Sequence, residues 1–387
     1  MKYSVAFFSK HFCERGTEKT TYDYADFNEK ILGNKSFIIC FKEKIIKKNK
    51  YIASKDFIKK KYFERFEVFE IETIFEIKQI LESNNITHFY TQSHGFYRDI
   101  FKFDNFKIWN NCRTIYHCAF GPMARQGSSQ RCIVGSYLNK RFLKNLPVLP
   151  PIVRKHKFTG NLRAELNIPK DSIVIGRHGG KDTFDINFVK RAISNYINTK
   201  KDIYFLFLNT EKFINHERVI FLENFTDAQV LKFISTCDAM IHARYHGETF
   251  GLAIAEFSAA NKPVITFKKS KDKEHLKILK YKAITYSNKD ELNRIFESLP
   301  DIINTQNQWN AYKAFEPSNV MKLFNDICLE NRKKTFLNKA TTLLRDLPWE
   351  IKISIDKVLN IQKKAFLRLI PYKIKEKVKP LIGIFKK

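Results

Sequence analysis

The chain has 387 residues, 44% of them hydrophobic, with 69 Lys and Arg against 40 Asp and Glu for a net charge of +29. That length exceeds one ordinary α/β domain and suits two, each with its own core, and the composition excludes a disordered chain or a fibre. The charge favours an anionic partner (phosphate esters, lipid headgroups or nucleic acid), or it reflects only a lysine-rich coding bias.

The first half alternates strand-like and helix-like segments. Tyr3 to Ser9 reads as a strand, followed by a polar loop and a helical stretch to Leu32. Lys35 to Phe41 is near-continuously apolar, as expected of a strand buried on both faces. Glu67 to Ile71 is a weaker strand, 72–83 is helical, and Ile86–Tyr90 and Arg113–His117 are further strands. Strands separated by helices predict a parallel sheet with right-handed crossovers. Pro147, Pro150 and Pro151 then interrupt the chain, and Val148–Val153 reads as a stiff linker.

A second α/β pattern follows. Its strands are expected at Ser172–Gly176, Ile203–Leu208, Arg218–Leu222, Ala239–His242 and Pro263–Phe267, with an amphipathic helix from Asp227 to Cys237 capped by Thr226 or Asp227. The expected organisation is a Rossmann-like half over 1–150, a second over 151–330, and an extension over 331–387. Open α/β sheets bind ligands beyond the carboxyl ends of their strands, so a cleft is expected between the halves. The extension holds 16 Lys/Arg and 4 acids, a net +12, with Ile355, Val358, Leu359, Phe366 and Leu369 at roughly helical spacing. It fits a basic amphipathic helix on an anionic membrane face, or a helix packed on the core with a solvated basic side.

Seven cysteines, an odd number with no C-x-x-C pair, suggest neither a disulfide framework nor a zinc ribbon. The short apolar run at the N-terminus stops at Lys10-His11 and does not have the form of a signal peptide, and no apolar stretch reaches the ~18 residues of a membrane span. A cytoplasmic protein is expected, with peripheral membrane contact through 331–387.

The densest chemistry lies in Asp238-Ala-Met-Ile-His-Ala-Arg244-Tyr-His246-Gly247-Glu248-Thr249-Phe250-Gly251-Leu252-Ala-Ile-Ala-Glu256, which runs on to Pro263-Val-Ile. A strand ends, a loop carries Gly247 and Glu248, and a helix starts near Phe250-Gly251. A helix N-terminus offers unpaired N–H groups and the positive end of its dipole, which suits phosphate. With Phe250 as the first helical residue, Glu256 would stand some two turns in, placed to accept from ribose hydroxyls while Glu248 accepts from a sugar.

This stretch resembles the signature of retaining glycosyltransferases of the GT-B fold, of the glycosyltransferase family 4 type: Glu, seven residues, Glu, with Phe-Gly after the first and Pro-Val-Ile beyond. The resemblance covers about residues 1–330 and implies two Rossmann-like domains with parallel sheets facing a central cleft. It implies that Glu248 contacts the donor sugar, Glu256 the nucleotide ribose, and the amides of Phe250, Gly251 and Leu252 the distal phosphate. In Gly176-Arg177-His178-Gly179-Gly180-Lys181 it implies diphosphate-binding cations at Arg177 and Lys181, although Lys181 comes early and is not followed by Gly. The alternative for Arg177 is a surface cation, which its place at a strand end disfavours.

Further along the resemblance, Gly16 matches a glycine-containing loop facing the donor, with the usual glycine pair broken by Arg15. His117, at a strand end, is placed near the donor hexose or is structural. His94, Arg244 and His246 are further cleft residues, the last two able equally to brace the loop.

The implied reaction moves a sugar from a nucleotide sugar to a glycan, lipid-linked or other acceptor with retention of configuration. Front-face attack is implied, with the leaving phosphate taking the acceptor's proton. No Asp-x-Asp triplet occurs, so no metal and no other cofactor is expected. A dehydrogenase would need Gly-x-Gly-x-x-Gly, which neither half supplies. The alternative is a non-catalytic nucleotide- or nucleic-acid-binding protein on a Rossmann-like fold, although no basic–aromatic stripe or known module supports nucleic acid.

Overall fold

The computed structural model describes residues 2–330 apart from 97–99, 102, 104–105, 110–111, 124–126, 157–159, 200–201, 224–225 and 306–307. The basic extension 331–387, and Asn224-Phe225 at the loop expected to choose the base, lie outside the described residues.

In chain order the first-half strands are β1 (Ser4–Ser9), β2 (Lys35–Phe41), β3 (Glu67–Ile71), β4 (His88–Ser93), β5 (Arg113–Cys118) and β6 (Gln130–Ile133). They form one parallel sheet in the order β3-β2-β1-β4-β5-β6. The second half supplies β7 (Ile173–His178), β8 (Ile203–Leu208), β9 (Val219–Leu222), β10 (Ala239–His242), β11 (Gly247–Glu248), β12 (Val264–Phe267), β13 (Asp272–Lys273) and β14 (Ala283–Tyr286). Six of these make a second parallel sheet, β14-β12-β10-β7-β8-β9, and β11 pairs with β13 in a two-residue ribbon. The two sheets share one strand order, each reversing direction between its first and fourth strands. The apolar runs fall where they were expected because central strands of a parallel sheet are buried on both faces. β6, β11, β13 and β14 were not expected: with two to four residues each, they carry too little pattern to read.

The proline-rich connection is buried rather than exposed. Leu149 and Ile152 are almost fully covered, and the Tyr24 hydroxyl donates to the Pro150 carbonyl at 2.7 Å. Arg154 then reaches back to Asp23 at 2.6 Å and Asp26 at 3.0 Å on the Gly16–Lys30 helix. After the second half the chain returns to the first. Pro317 starts the Pro317–Phe324 helix, and Val320, Met321 and Phe324 bury against Val5 and Phe7 of the first sheet and Tyr24 of the Gly16–Lys30 helix. Phe324 stacks on Tyr24 with ring centroids 5.1 Å apart. Residues 317–329, expected with the second half, thus pack on the first, because their apolar stripe matches a face that would otherwise be wet. Among the described residues no helix is long and apolar enough to cross a membrane.

Burial also sets the acid behaviour. It pulls the imidazoles of His11 and His88 down to about 4 and those of His117 and His275 down to about 3. These histidines are neutral when folded, whereas the unfolded chain takes up their protons below about pH 6.5, so stability falls as pH drops from 6.5 towards 4. Glu18, pushed up to about 7 by burial, works the other way between pH 7 and its ordinary 4.5. The histidines outnumber it, and each extra proton bound by the unfolded chain is worth about 1.4 kcal/mol per pH unit. The melting temperature is therefore expected to be lower at pH 5 than at pH 7.5; an equal or higher value at pH 5 would contradict the buried, neutral histidines.

Candidate active site at the facing strand ends

The point where strand order reverses leaves a crevice at the carboxyl ends of β1 and β4 in one sheet and of β7 and β10 in the other. The ends of these four strands and the segments just beyond them carry Gly16, His94, Arg177 and Arg244. The two halves touch here. A Cβ on Gly16 would stand 3.2 Å from the Leu252 side chain, and Lys19 Nζ pairs with Glu256 Oε1. The N-terminus of the Ser136–Phe142 helix is capped from across the crevice by Glu274, which accepts from the Ser136 hydroxyl at 3.0 Å and from the Tyr137 N–H. Arg141 makes two bonds to Asp272, at 2.6 and 2.7 Å.

Glu248 stands in the β11–β13 ribbon. Its Oε1 lies 3.3 Å from His242 Nε2 and accepts from Arg244 at 3.0 Å. His242 is itself held by Thr266, 2.9 Å from its Nδ1. Burial opposes the charge on Glu248, but the His242 bond and the Arg244 charge outweigh it and hold the carboxyl down at about 2. Glu248 is therefore a carboxylate at any working pH, suited to accepting hydrogen bonds and stabilising positive charge rather than giving a proton. Arg244 serves the site by fixing this carboxylate. His246 is exposed, and its carbonyl accepts from Asp272 N–H at 2.7 Å.

The helix after Glu248 is Leu252–Ala259, with Gly251 as its cap. Gly251 has φ +87°, a left-handed conformation that leaves the helix to begin one residue later and that a Cβ would strain. Glu256 consequently sits one turn in, not two, close to the amides of the first turn. Phe250 is not helical: its ring is buried against Tyr312 and Phe315, and its carbonyl accepts from the Tyr312 hydroxyl. The amides free of intrahelical acceptors are those of the first turn, from Leu252 on. Glu256 Oε2 lies 3.0 Å from His178 Nε2, and the Lys19 charge, with His178, holds its carboxyl well below the usual range despite burial.

Three expected cations or histidines are placed differently. Arg177, at the end of β7, is only 4% exposed, and its fork is already engaged. It donates to the carbonyls of Asn209 (3.1 Å) and Gly180 (2.8 Å) and to the hydroxyls of Thr210 and Thr183. It thus braces two loops at the crevice, near enough for the Glu248 charge to be felt; burial lowers its guanidinium to about 10, which leaves it positive. Lys181 is exposed and donates to Glu223 at 3.0 Å. Gly179 and Gly180 turn the chain after β7 and carry Lys181 to that outer pairing.

His117 is fully buried in the first sheet, 2.6 Å from the Tyr90 hydroxyl and packed on Tyr24, which is a core position. His94 stacks on Phe120 beyond β4, with centroids 5.5 Å apart.

Lys19, His178, His242 and Gly135 complete the site and were not expected. His178 and His242 lay one and two residues from residues singled out, at strand ends, which was a usable signal. Lys19 gave none, being one lysine among many. Gly135 gave none either, since its role depends on what faces it: a Cβ there would fall 2.2 Å from the Thr249 carbonyl and 2.8 Å from the Glu274 side chain.

Two parallel sheets of one topology, facing each other across paired glutamates at a helix N-terminus, define the GT-B class of fold. Residues 200–314, which include both glutamates, match the family of glycosyl transferases group 1. No curated protein matches the sequence. Among solved structures, the chain is similar to a glycosyltransferase from Rickettsia africae, at 15% identity and TM-score 0.64 over 85% of this chain and 99% of that one. It is similar also to Anabaena Alr3699/HepE in complex with UDP and glucose, at 13% identity and TM-score 0.61 over 84% of this chain and 98% of that one.

Proposed function

We propose that this chain transfers a sugar from a nucleotide-sugar donor to a glycan or lipid-linked acceptor, with retention of configuration and with no metal ion in the transfer chemistry. The observation that carries the reading is the pair Glu248 and Glu256 on either side of the Gly251 cap, both ionised and both at the crevice. Residues 1–150 and 151–330 would act as the acceptor-side and donor-side halves. The match over 200–314 and the UDP-bound relative support a nucleotide-sugar donor.

The geometry supports the following roles. Glu256 accepts from the ribose, which requires Lys19 to release it. Lys19, freed one turn from the helix N-terminus, then meets the donor phosphates, the task expected of Lys181. The first-turn amides take the distal phosphate. Both His242 and Arg244 reach Oε1 of Glu248, so Oε2 faces the donor sugar, where its charge favours a positive anomeric centre. The leaving phosphate takes the acceptor's proton, and Arg177 contributes its charge from behind the loops. The basic 331–387 segment would bring the protein to an anionic membrane carrying the acceptor.

Thermal shift with UDP, GDP, ADP and their sugar conjugates tests the donor site. One nucleotide is expected to stabilise the wild type by about 2.7 kcal/mol at a hundredfold excess over Kd, a rise of several degrees, and Glu256→Ala is expected to abolish the shift. A folded wild type that no nucleotide stabilises would refute the assignment.

A further inference from the structure

The loop leaving β1 and the first turn of the helix after it hold three side chains that the transfer reading does not use. His11, Cys13 and Glu18 are buried, at 8%, 6% and 7% exposure. One ligating atom of each lies within 4.8 Å of the other two. His11 Nδ1 is 3.4 Å from Glu18 Oε1, and Cys13 Sγ is 3.6 Å from Glu18 Oε2. The two distances run to the two oxygens of one carboxylate, and each is about the ligand–ligand spacing around a tetrahedral metal ion, about 3.3–3.8 Å for bonds of about 2.0–2.3 Å to nitrogen, oxygen and sulfur.

The second observation is His11 Nδ1 itself. It is buried and makes no hydrogen bond, although a carboxylate oxygen stands at 3.4 Å. The two groups are close but not aligned to share a proton, as expected of lone pairs converging on a common point. Their frame is fixed from outside the cluster. Phe12 N–H donates to Ser54 Oγ at 3.2 Å, the Phe12 carbonyl accepts from Lys55 N–H at 2.7 Å, and the Tyr62 hydroxyl donates to the Glu18 carbonyl at 2.6 Å.

We propose that His11, Cys13 and Glu18 form a binding site for a borderline divalent metal ion of the zinc type, with water completing a tetrahedron. Imidazole nitrogen, thiolate sulfur and carboxylate oxygen are the donor set such ions select. Thiolate and carboxylate together balance the ion's two charges, so the occupied site is neutral, as a buried site should be. Without metal, burial favours the protonated forms of the Cys13 thiol and the Glu18 carboxyl. A thiol ligates a metal as thiolate, so binding releases its proton to solvent. Lys10 and Arg15 flank the loop and weaken affinity for a cation, which the dianionic ligand set offsets. The ion would pin the β1 loop to the first turn of the helix bearing Gly16 and Lys19. It would position the crevice and take no part in transfer, so the site stands whether or not the chain moves a sugar.

The test uses the full chain, stripped with chelator, exchanged into metal-free buffer and titrated with zinc and with cobalt(II). One equivalent is expected, with a thiolate-to-cobalt charge-transfer band in the near ultraviolet, a higher melting temperature with zinc, and release of protons on binding. Cys13→Ser and Glu18→Gln should each weaken binding at least tenfold, and Cys13→Ser should remove the band. Cys112→Ser, at a half-buried thiol outside the cluster, should change neither. Should a variant not fold, the wild-type spectrum decides alone: cobalt bound without the thiolate band, or no ion bound, overturns the proposal. Equal binding by folded Cys13→Ser overturns it as well.

Discussion

Replacing Glu248 by Gln is expected to lower sugar transfer by about 100- to 1,000-fold while leaving nucleotide affinity within a few-fold of wild type. The side chain keeps its shape and can still accept from Arg244 and His242, so the loop should hold. What disappears is a negative charge fixed beside the reacting centre. A preorganised charge is effective because it does not reorient as positive charge develops, and neutralising it forfeits that advantage. In the proposed reading Glu256 and the first-turn amides would hold the nucleotide, and the substitution leaves them untouched. Steady-state kinetics and nucleotide binding on one preparation check this, and transfer within about threefold of wild type would remove Glu248 from the mechanism. The carboxyl is held down at about 2, so it should impose no ionisation on the pH–rate profile between pH 5.5 and 8. Its depressed value also contributes stability that is full above the ordinary 4.5 and lost as pH falls through about 2.

The second large effect is expected from one methyl group at Gly135. In Gly135→Ala the new Cβ would start 2.2 Å from the Thr249 carbonyl oxygen and 2.8 Å from Glu274 Cγ. The oxygen belongs to backbone and does not swing aside, so the two halves must separate by about 1 Å to restore ordinary contact. Overpacking of this kind costs about 1–3 kcal/mol. Thr249 follows Glu248 directly, so the movement displaces the carboxylate, and a 1 Å misplacement near the chemistry can cost about 100-fold in rate. A lowered melting temperature together with a loss of transfer larger than the loss of nucleotide affinity is the expected pattern. Unchanged stability and unchanged transfer would show that the halves do not meet here.

The fold was legible because its cause is local. Buried parallel strands need apolar runs such as Lys35–Phe41 and Ile203–Leu208, and those runs cannot be hidden in a sequence. The same holds for Glu248, Gly251 and Glu256: a loop, a cap and the helix that follows are set by neighbouring residues, and their spacing survives in one dimension. Even there the left-handed Gly251 moved the helix start by two residues, from Phe250 to Leu252, and shortened the distance to Glu256 from two turns to one.

What the sequence left undecided are the contacts made across space. Arg177 and Lys181 were read as free cations, yet one is spent on loop carbonyls and hydroxyls and the other pairs outward with Glu223. His117 was read at a strand end, but the sheet face it occupies is the one covered by Tyr24 and Phe324. Lys19 became the cation beside Glu256 because the first helix of one half lies against the second glutamate of the other. Gly135 matters for the backbone that faces it. Spacing along the chain determined which elements form and which carboxylates share a helix end. Only the packing of one half on the other decided which charges remain for a ligand, because a side chain's partner is chosen by proximity in three dimensions.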